Sequence, residues 1–243
     1  MTATYVYGLV SADTELPADL DGLGPSGRVS TIAHERVAAI VSDVPIDRPL
    51  GTRDDLLAHE RVLDAIAERA AVLPMRFPAV VEEKGVVQEL LAPHQDRFLE
   101  ALARIEGLVQ FTLKGRYEQD PVLREITESD EEIQLLRERV RELPEDASYY
   151  DRIRLGELVV DAMTQRREVD GRNVLERLRP LASDVSIRTM AAPDEVVNAA
   201  FLVARDRVKQ FDDAVEDIGL DFVGRVRFRL VGPLAPYDFT PEG

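Results

Sequence analysis

The 243-residue chain contains no cysteine, which removes disulfide frameworks, thiolate nucleophiles, zinc fingers and iron–sulfur ligation together. Its three histidines are isolated and make a poor metal site, so no metal or cofactor is expected. No apolar run reaches the roughly 18 residues that a membrane span needs. The first ten residues have no basic segment before their apolar run and no cleavage-like site after it. They read as a first strand, and the expected compartment is the cytoplasm. Positive charge is also scarce. Thirty basic residues against 46 acidic ones leave a net charge of −16, with −8 in residues 1–106 and −8 in 107–243. Such a field repels a phosphate backbone, so nucleic acid is not an expected partner. What is present is a soluble globular composition, 45% hydrophobic and 31% charged, in a length that suits two small domains.

Residues 4–10 are β-branched, aromatic or small, and a loop rich in proline, glycine and aspartate follows at 17–27. Two short β-rich runs at 28–34 and 37–43 form a hairpin. Thr52 caps a helix whose apolar positions are Leu56, Leu63, Ile66 and Ala70, with Asp54 and Asp55 in its first turn. Residues 72–81 alternate as a strand, with Leu73, Met75, Phe77, Ala79 and Val81 on one face. Pro74 and Pro78 delete donors from one of its edges, which predicts an edge strand. A helix over 83–105 should break or kink at Pro93.

The period returns to two at 108–117, with Val109, Phe111, Leu113 and Tyr117 opposite Gln110, Thr112, Lys114 and Arg116. Helices run to about 182, with Ser129 and Glu132 spaced as a capping box and Ser148 opening the next helix. Strands at 185–191 and 196–204, a helix at 206–218 and a strand at 222–231 complete the chain. The expected fold is α+β with two domains. Residues 1–106 form a small α+β domain. Residues 107–231 form a ferredoxin-like, split βαβ domain with an enlarged helical crossover, and 232–243 form an extended tail.

Chemical motifs are weak. Gly22-Leu-Gly-Pro-Ser-Gly27 spells a dinucleotide fingerprint but neither leaves a strand nor opens a helix, so it reads as a loop. Residues 219–224 have the glycine spacing of a phosphate loop, but Arg225 and Val226 stand where lysine and serine or threonine are needed. His-Glu-Arg-Val occurs at His34 and His59 without the second histidine of a zinc protease. His59 and His94 both fall on apolar helical stripes and read as core histidines. No catalytic constellation emerges.

Several of these stretches resemble the gas vesicle accessory proteins F and L (GvpF/GvpL). They are Tyr5-Val-Tyr-Gly-Leu-Val10, Ala39-Ile-Val-Ser-Asp-Val-Pro45 and His59-Glu-Arg-Val-Leu63, followed by Leu73-Pro-Met-Arg-Phe77. Arg154-Leu-Gly-Glu-Leu-Val159, Asn198-Ala-Ala-Phe-Leu-Val203 and Gly232-Pro-Leu-Ala-Pro-Tyr-Asp-Phe239 continue the likeness. Pro78-Ala79 replaces a Gly-Thr of the family pattern, and Leu234-Ala235 replaces Trp-Pro. The resemblance implies a non-enzymatic gas vesicle assembly protein. Its partners would be the small hydrophobic shell protein and other accessory proteins of the vesicle. A ferredoxin-like regulatory or RNA-binding module is the alternative, because that fold presents an open sheet face.

Candidate contact residues lie in three groups. Met75, Arg76 and Phe77 sit on the proline-bearing strand. Tyr237 and Phe239 are expected to anchor the tail to the body of the protein. Arg225, Arg227 and Arg229 are expected to share one sheet face with Lys114 and Arg116.

Overall fold

In the computed structural model, residues 2–24, 27–45, 49–144 and 147–240 are described. Contacts divide the chain into two units. The first holds residues 1–111, 202–206 and 231–243, and the second holds 112–201 and 207–230.

The first unit begins with β1 (Thr2–Ser11), β2 (Ser30–His34) and β3 (Val37–Pro45). After α1 (Arg53–Ala67) come two-residue strands, β4 (Leu73–Pro74) and β5 (Val80–Val81). The sheet order is β2-β3-β1-β4, with β5 also paired to β1. The expected strand over 72–81 is therefore two fragments. Both pair with β1 at the edge of the sheet, where missing proline donors do least harm.

Alternate residues of β1 and β3 enter two different cores. Tyr5, Tyr7, Ala38 and Ile40 pack with Val62, Leu63 and Ile66 of α1. Val6, Leu9, Ala39 and Val41 pack instead with Leu91, Leu102 and Ile105. The sheet is thus buried on both faces, which is why β1 and β3 read as near-continuous apolar runs.

Thr52 caps α1, and Asp55 completes a capping box not expected from the sequence, with the Thr52 hydroxyl accepting from the Asp55 N–H and the Asp55 carboxylate accepting from the Thr52 N–H. Its buried face is Ala58, His59, Val62, Leu63, Ile66 and Ala67, whereas Leu56 is exposed. Before Pro93 the chain passes from α2 (Glu83–Gly85) through a π-helical segment, Val86–Leu91, into α3 (Ala92–Ile105). A proline removes an N–H and crowds the carbonyl one turn back, and the wider turn relieves both. His94 is exposed against Phe98 rather than in the core.

The remaining elements are β6 (Leu108–Tyr117), α4 (Gln119–Ser129), α5 (Glu131–Glu142), α6 (Tyr149–Leu178) and β7 (Asp184–Ile187). They are followed by β8 (Glu195–Ala204), α7 (Val208–Asp221) and β9 (Val226–Leu234). The second sheet has the order β7-β8-β6-β9. Asp130, not Ser129, caps α5, with its carboxylate accepting from the Ile133 N–H at 3.1 Å. Residues 222–225 precede β9 rather than opening it, so Arg225 lies outside the strand. Among the described residues no helix is long and apolar enough to cross a membrane.

Candidate protein-binding surfaces

The segment carrying Met75, Arg76 and Phe77 is built into the first sheet. The Met75 N–H donates to the Tyr7 carbonyl at 2.9 Å, and its half-buried side chain lies against the core of Val6 and Leu9. Phe77 packs on the opposite core, its ring 5.7 Å from His59 and 6.3 Å from Tyr5. Arg76 between them is exposed.

His59 is buried, with Nδ1 2.8 Å from the Tyr5 hydroxyl. Nearby, the Leu23 N–H donates to Tyr7 Oη, which donates to Ser42 Oγ, which in turn donates to the Arg28 carbonyl. These links tie the glycine loop to the sheet, although Pro25 and Ser26 lie outside the described residues. Burial pushes the His59 imidazole down to about 4 and pushes the Tyr5 and Tyr7 phenols up. Because the folded value of His59 lies below its ordinary 6.5, the fold resists protonation there. Stability from this group is complete above about pH 6.5 and is lost as pH falls toward 4, by up to about 3 kcal/mol. Urea midpoints of wild type and His59→Gln should therefore draw together between neutral pH and pH 4.

The tail is also built in. Gly232 passes where a Cβ would come within 2.6 Å of the Phe111 ring and 2.8 Å of the Gln110 carbonyl oxygen. Ala235 is fully buried in the core of Tyr5 and Tyr7, and its N–H donates to Asp64 Oδ1 at 2.9 Å. Gln110 grips Asp238 twice, donating to its carboxylate at 2.6 Å and accepting from its N–H at 3.0 Å. Tyr237 rests on the core shared with Phe77, and Phe239 on the core shared with Met75. Burial raises both the Asp64 carboxyl and the Tyr237 phenol above their ordinary values.

The three arginines separate. Arg225 places Nη2 2.8 Å from Asp170 Oδ2 and Nε 3.1 Å from Glu125 Oε2, with its guanidinium over the Phe222 ring at 5.4 Å. The Tyr117 hydroxyl donates to the same Asp170 oxygen at 2.8 Å, and Arg166 bridges Glu125 and Asp170 at 2.5 and 3.4 Å. Burial and Asp170 together raise the Tyr117 phenol. The expected five-cation face is thus corrected to four. Released from strand alternation, Arg225 turns toward the carboxylates of α4 and α6, while Arg227 and Arg229 stay exposed on β9.

Sequence reasoning missed two features. Asp170 and Glu125 were hidden because helical acids read as solvated. The other is on α6, a 30-residue helix roughly 45 Å long. Gly171, Val174 and Leu178 are buried on it, while Tyr149, Ile153 and Val160 carry the same stripe toward the N-terminus at 59%, 46% and 64% exposure.

The sequence profile of the family described as gas vesicle synthesis protein GvpL/GvpF matches residues 3–241. The chain belongs to this family. Gas vesicle protein F of Streptomyces sp. (strain CB03234) is 33% identical over 248 aligned residues, covering 98% of this chain and 99% of that one. Gas vesicle protein L of the same strain is 28% identical, covering 97% and 92%. The crystal structure of GvpF from Anabaena sp. PCC7120 superimposes with a TM-score of 0.81 at 24% identity, covering 100% of this chain and 98% of that one. The GvpF structure from Microcystis aeruginosa gives 0.78 at 23%, covering 98% and 99%. These structures share the mixed α+β fold with two sheets. Its GvpL/GvpF membership gives this chain an accessory role in gas vesicle assembly.

Proposed function

We propose that this GvpL/GvpF protein is a non-enzymatic, cytoplasmic assembly factor that binds the small hydrophobic shell protein of the gas vesicle. The observation that carries the reading is the exposed apolar stripe Tyr149, Ile153 and Val160, on a helix face that becomes buried about three turns further on, at Gly171. Exposed apolar residues in register along one helix mark a contact surface rather than scattered surface exposure. The exposed Arg76 and Val80, beside the half-buried Met75 and Phe77, offer a second strip on the first unit.

A non-enzymatic role is supported by how the buried polar groups are used. Tyr5 meets His59, Tyr7 meets Ser42 and Tyr117 meets Asp170, each inside packed structure. The order β7-β8-β6-β9 supports the split βαβ, ferredoxin-like assignment for residues 107–231, with α4, α5 and α6 as the enlarged crossover. Phe111 and Tyr117 are buried, and Phe228 packs against Gly115, so the aromatics that an RNA-binding sheet would display are turned inward.

The test is co-purification of the shell protein with wild type and with a Tyr149→Ser/Ile153→Ser/Val160→Ser variant. Exposed positions tolerate this change, so melting should stay constant while shell-protein recovery falls at least about tenfold. Undiminished recovery with the variant would remove the stripe from the proposal, and no recovery with wild type would remove shell binding altogether.

A further inference from the structure

The second sheet carries a basic face that the shell contact does not use. Gly115 and Phe228 face each other, since a Cβ on Gly115 would lie 2.8 Å from the Phe228 ring, and Tyr117 on the same side reaches Asp170 of α6. Side chains alternate along strands, so Lys114 and Arg116 of β6 and Arg227 and Arg229 of β9 occupy the opposite side. All four are exposed. Glu195 answers Arg116 at 2.9 Å and Glu118 answers Arg227 at 2.6 Å. The side chains of Lys114 and Arg229 have no ion pair or hydrogen bond among the described residues. Two uncompensated cations therefore remain on one face of a chain whose net charge is −16.

β9 ends the sheet order, and among the described residues no strand pairs with its outer edge. Its backbone donors and acceptors there form a template for one more strand. The side chains decide which strand. A second copy docking β9 against β9 would set Arg227 and Arg229 against their own counterparts, and directly opposed like charges destabilise a strand pair. An acidic strand meets the reverse situation. Residues two apart project to the same face roughly 6.7 Å apart, so carboxylates at alternate positions match the spacing of Arg227 and Arg229.

We propose that the outer edge of β9 is a docking site for an extended acidic segment of a partner protein, which adds as a strand with alternate carboxylates against Arg227 and Arg229. Lys114 and Arg116 on the adjoining strand extend the positive potential and favour encounter. This surface lies on different elements from the apolar stripe of α6, and the two stand or fall separately.

The experiment uses the full chain and a fluorescent ten-residue peptide alternating glutamate and valine, followed by anisotropy. Wild type should bind the peptide, and added salt should weaken binding. Arg227→Glu/Arg229→Glu should weaken it at least about tenfold, and Lys114→Glu by less. A peptide of the same composition with its glutamates in one block should also bind about tenfold more weakly, because only alternation matches a strand. Failure of wild type to bind, equal binding of the block peptide, or unchanged affinity in the double variant would each overturn the proposal. A wild-type dimer that Arg227→Glu/Arg229→Glu dissolves would overturn it in favour of a second copy. Lys114→Glu supplies the reading if the double variant fails to fold.

Discussion

Truncation after Leu234 is expected to lower the melting temperature by about 10 °C while leaving most secondary structure in place. The lost residues are not an appendage. Ala235 is fully buried, and the Tyr237 and Phe239 rings rest on the two separate cores of the first sheet. At about 25 cal/mol per Å² of apolar surface, two half-buried rings and one buried methyl contribute about 3 kcal/mol. Removing the segment also strips Asp64 and Gln110 of their partners, adding about 1–2 kcal/mol. For a chain of this size each kcal/mol moves the midpoint by roughly 2–4 °C. Calorimetry on the truncated chain, with Tyr237→Ala and Phe239→Ala alongside, measures the whole effect and its parts. A midpoint within about 2 °C of wild type would contradict this account of the tail.

The second large effect belongs to Arg225. Its guanidinium holds the buried Asp170 carboxylate and Glu125 together while covering the Phe222 ring. Arg225→Ala leaves Asp170 buried with only Tyr117 and Arg166 to answer it, at an expected cost of about 3 kcal/mol in urea unfolding. Arg225→Lys should recover only part of that loss, because a single ammonium has neither the fork nor the planar face. Arg225→Ala/Asp170→Ala should cost clearly less than the two single changes added together, since each alone strands the other's charge. Strict additivity would mean that the two residues do not act as a pair.

Much of this arrangement was legible because local chemistry carries it. Thr52 announced its cap, and Pro93 announced an interrupted helix that the chain meets with a π-helical turn. The alternation at 108–117 fixed which side Lys114 and Arg116 take. Errors arose where tertiary structure overrode a local pattern. Leu56 matches the helical period of α1, yet the face chosen by the sheet is centred on Val62 and Ile66. Arg225 matches the alternation of Arg227 and Arg229, yet the turn before β9 frees it and distant acids capture it. Nothing near Asp170 in sequence marks it as buried, because its partners lie at 117, 166 and 225. The apolar stripe of α6 escaped notice for the opposite reason, since an exposed and a buried heptad look alike until the sheet is seen to end.

The inventory of the first unit bears on how the protein is made. Its sheet and helices are complete by residue 105, but its two cores also take Leu202, Ala235, Tyr237 and Phe239. A ribosome releases the N-terminal segment long before those side chains exist, so the first unit waits with part of both cores uncovered while the second is synthesised. The contacts that finish it close loops of well over a hundred residues, which makes them late and slow. The beginning of this chain therefore reaches its final packing only after translation has passed residue 239, and until then its exposed apolar surface is open to chaperones or to premature association.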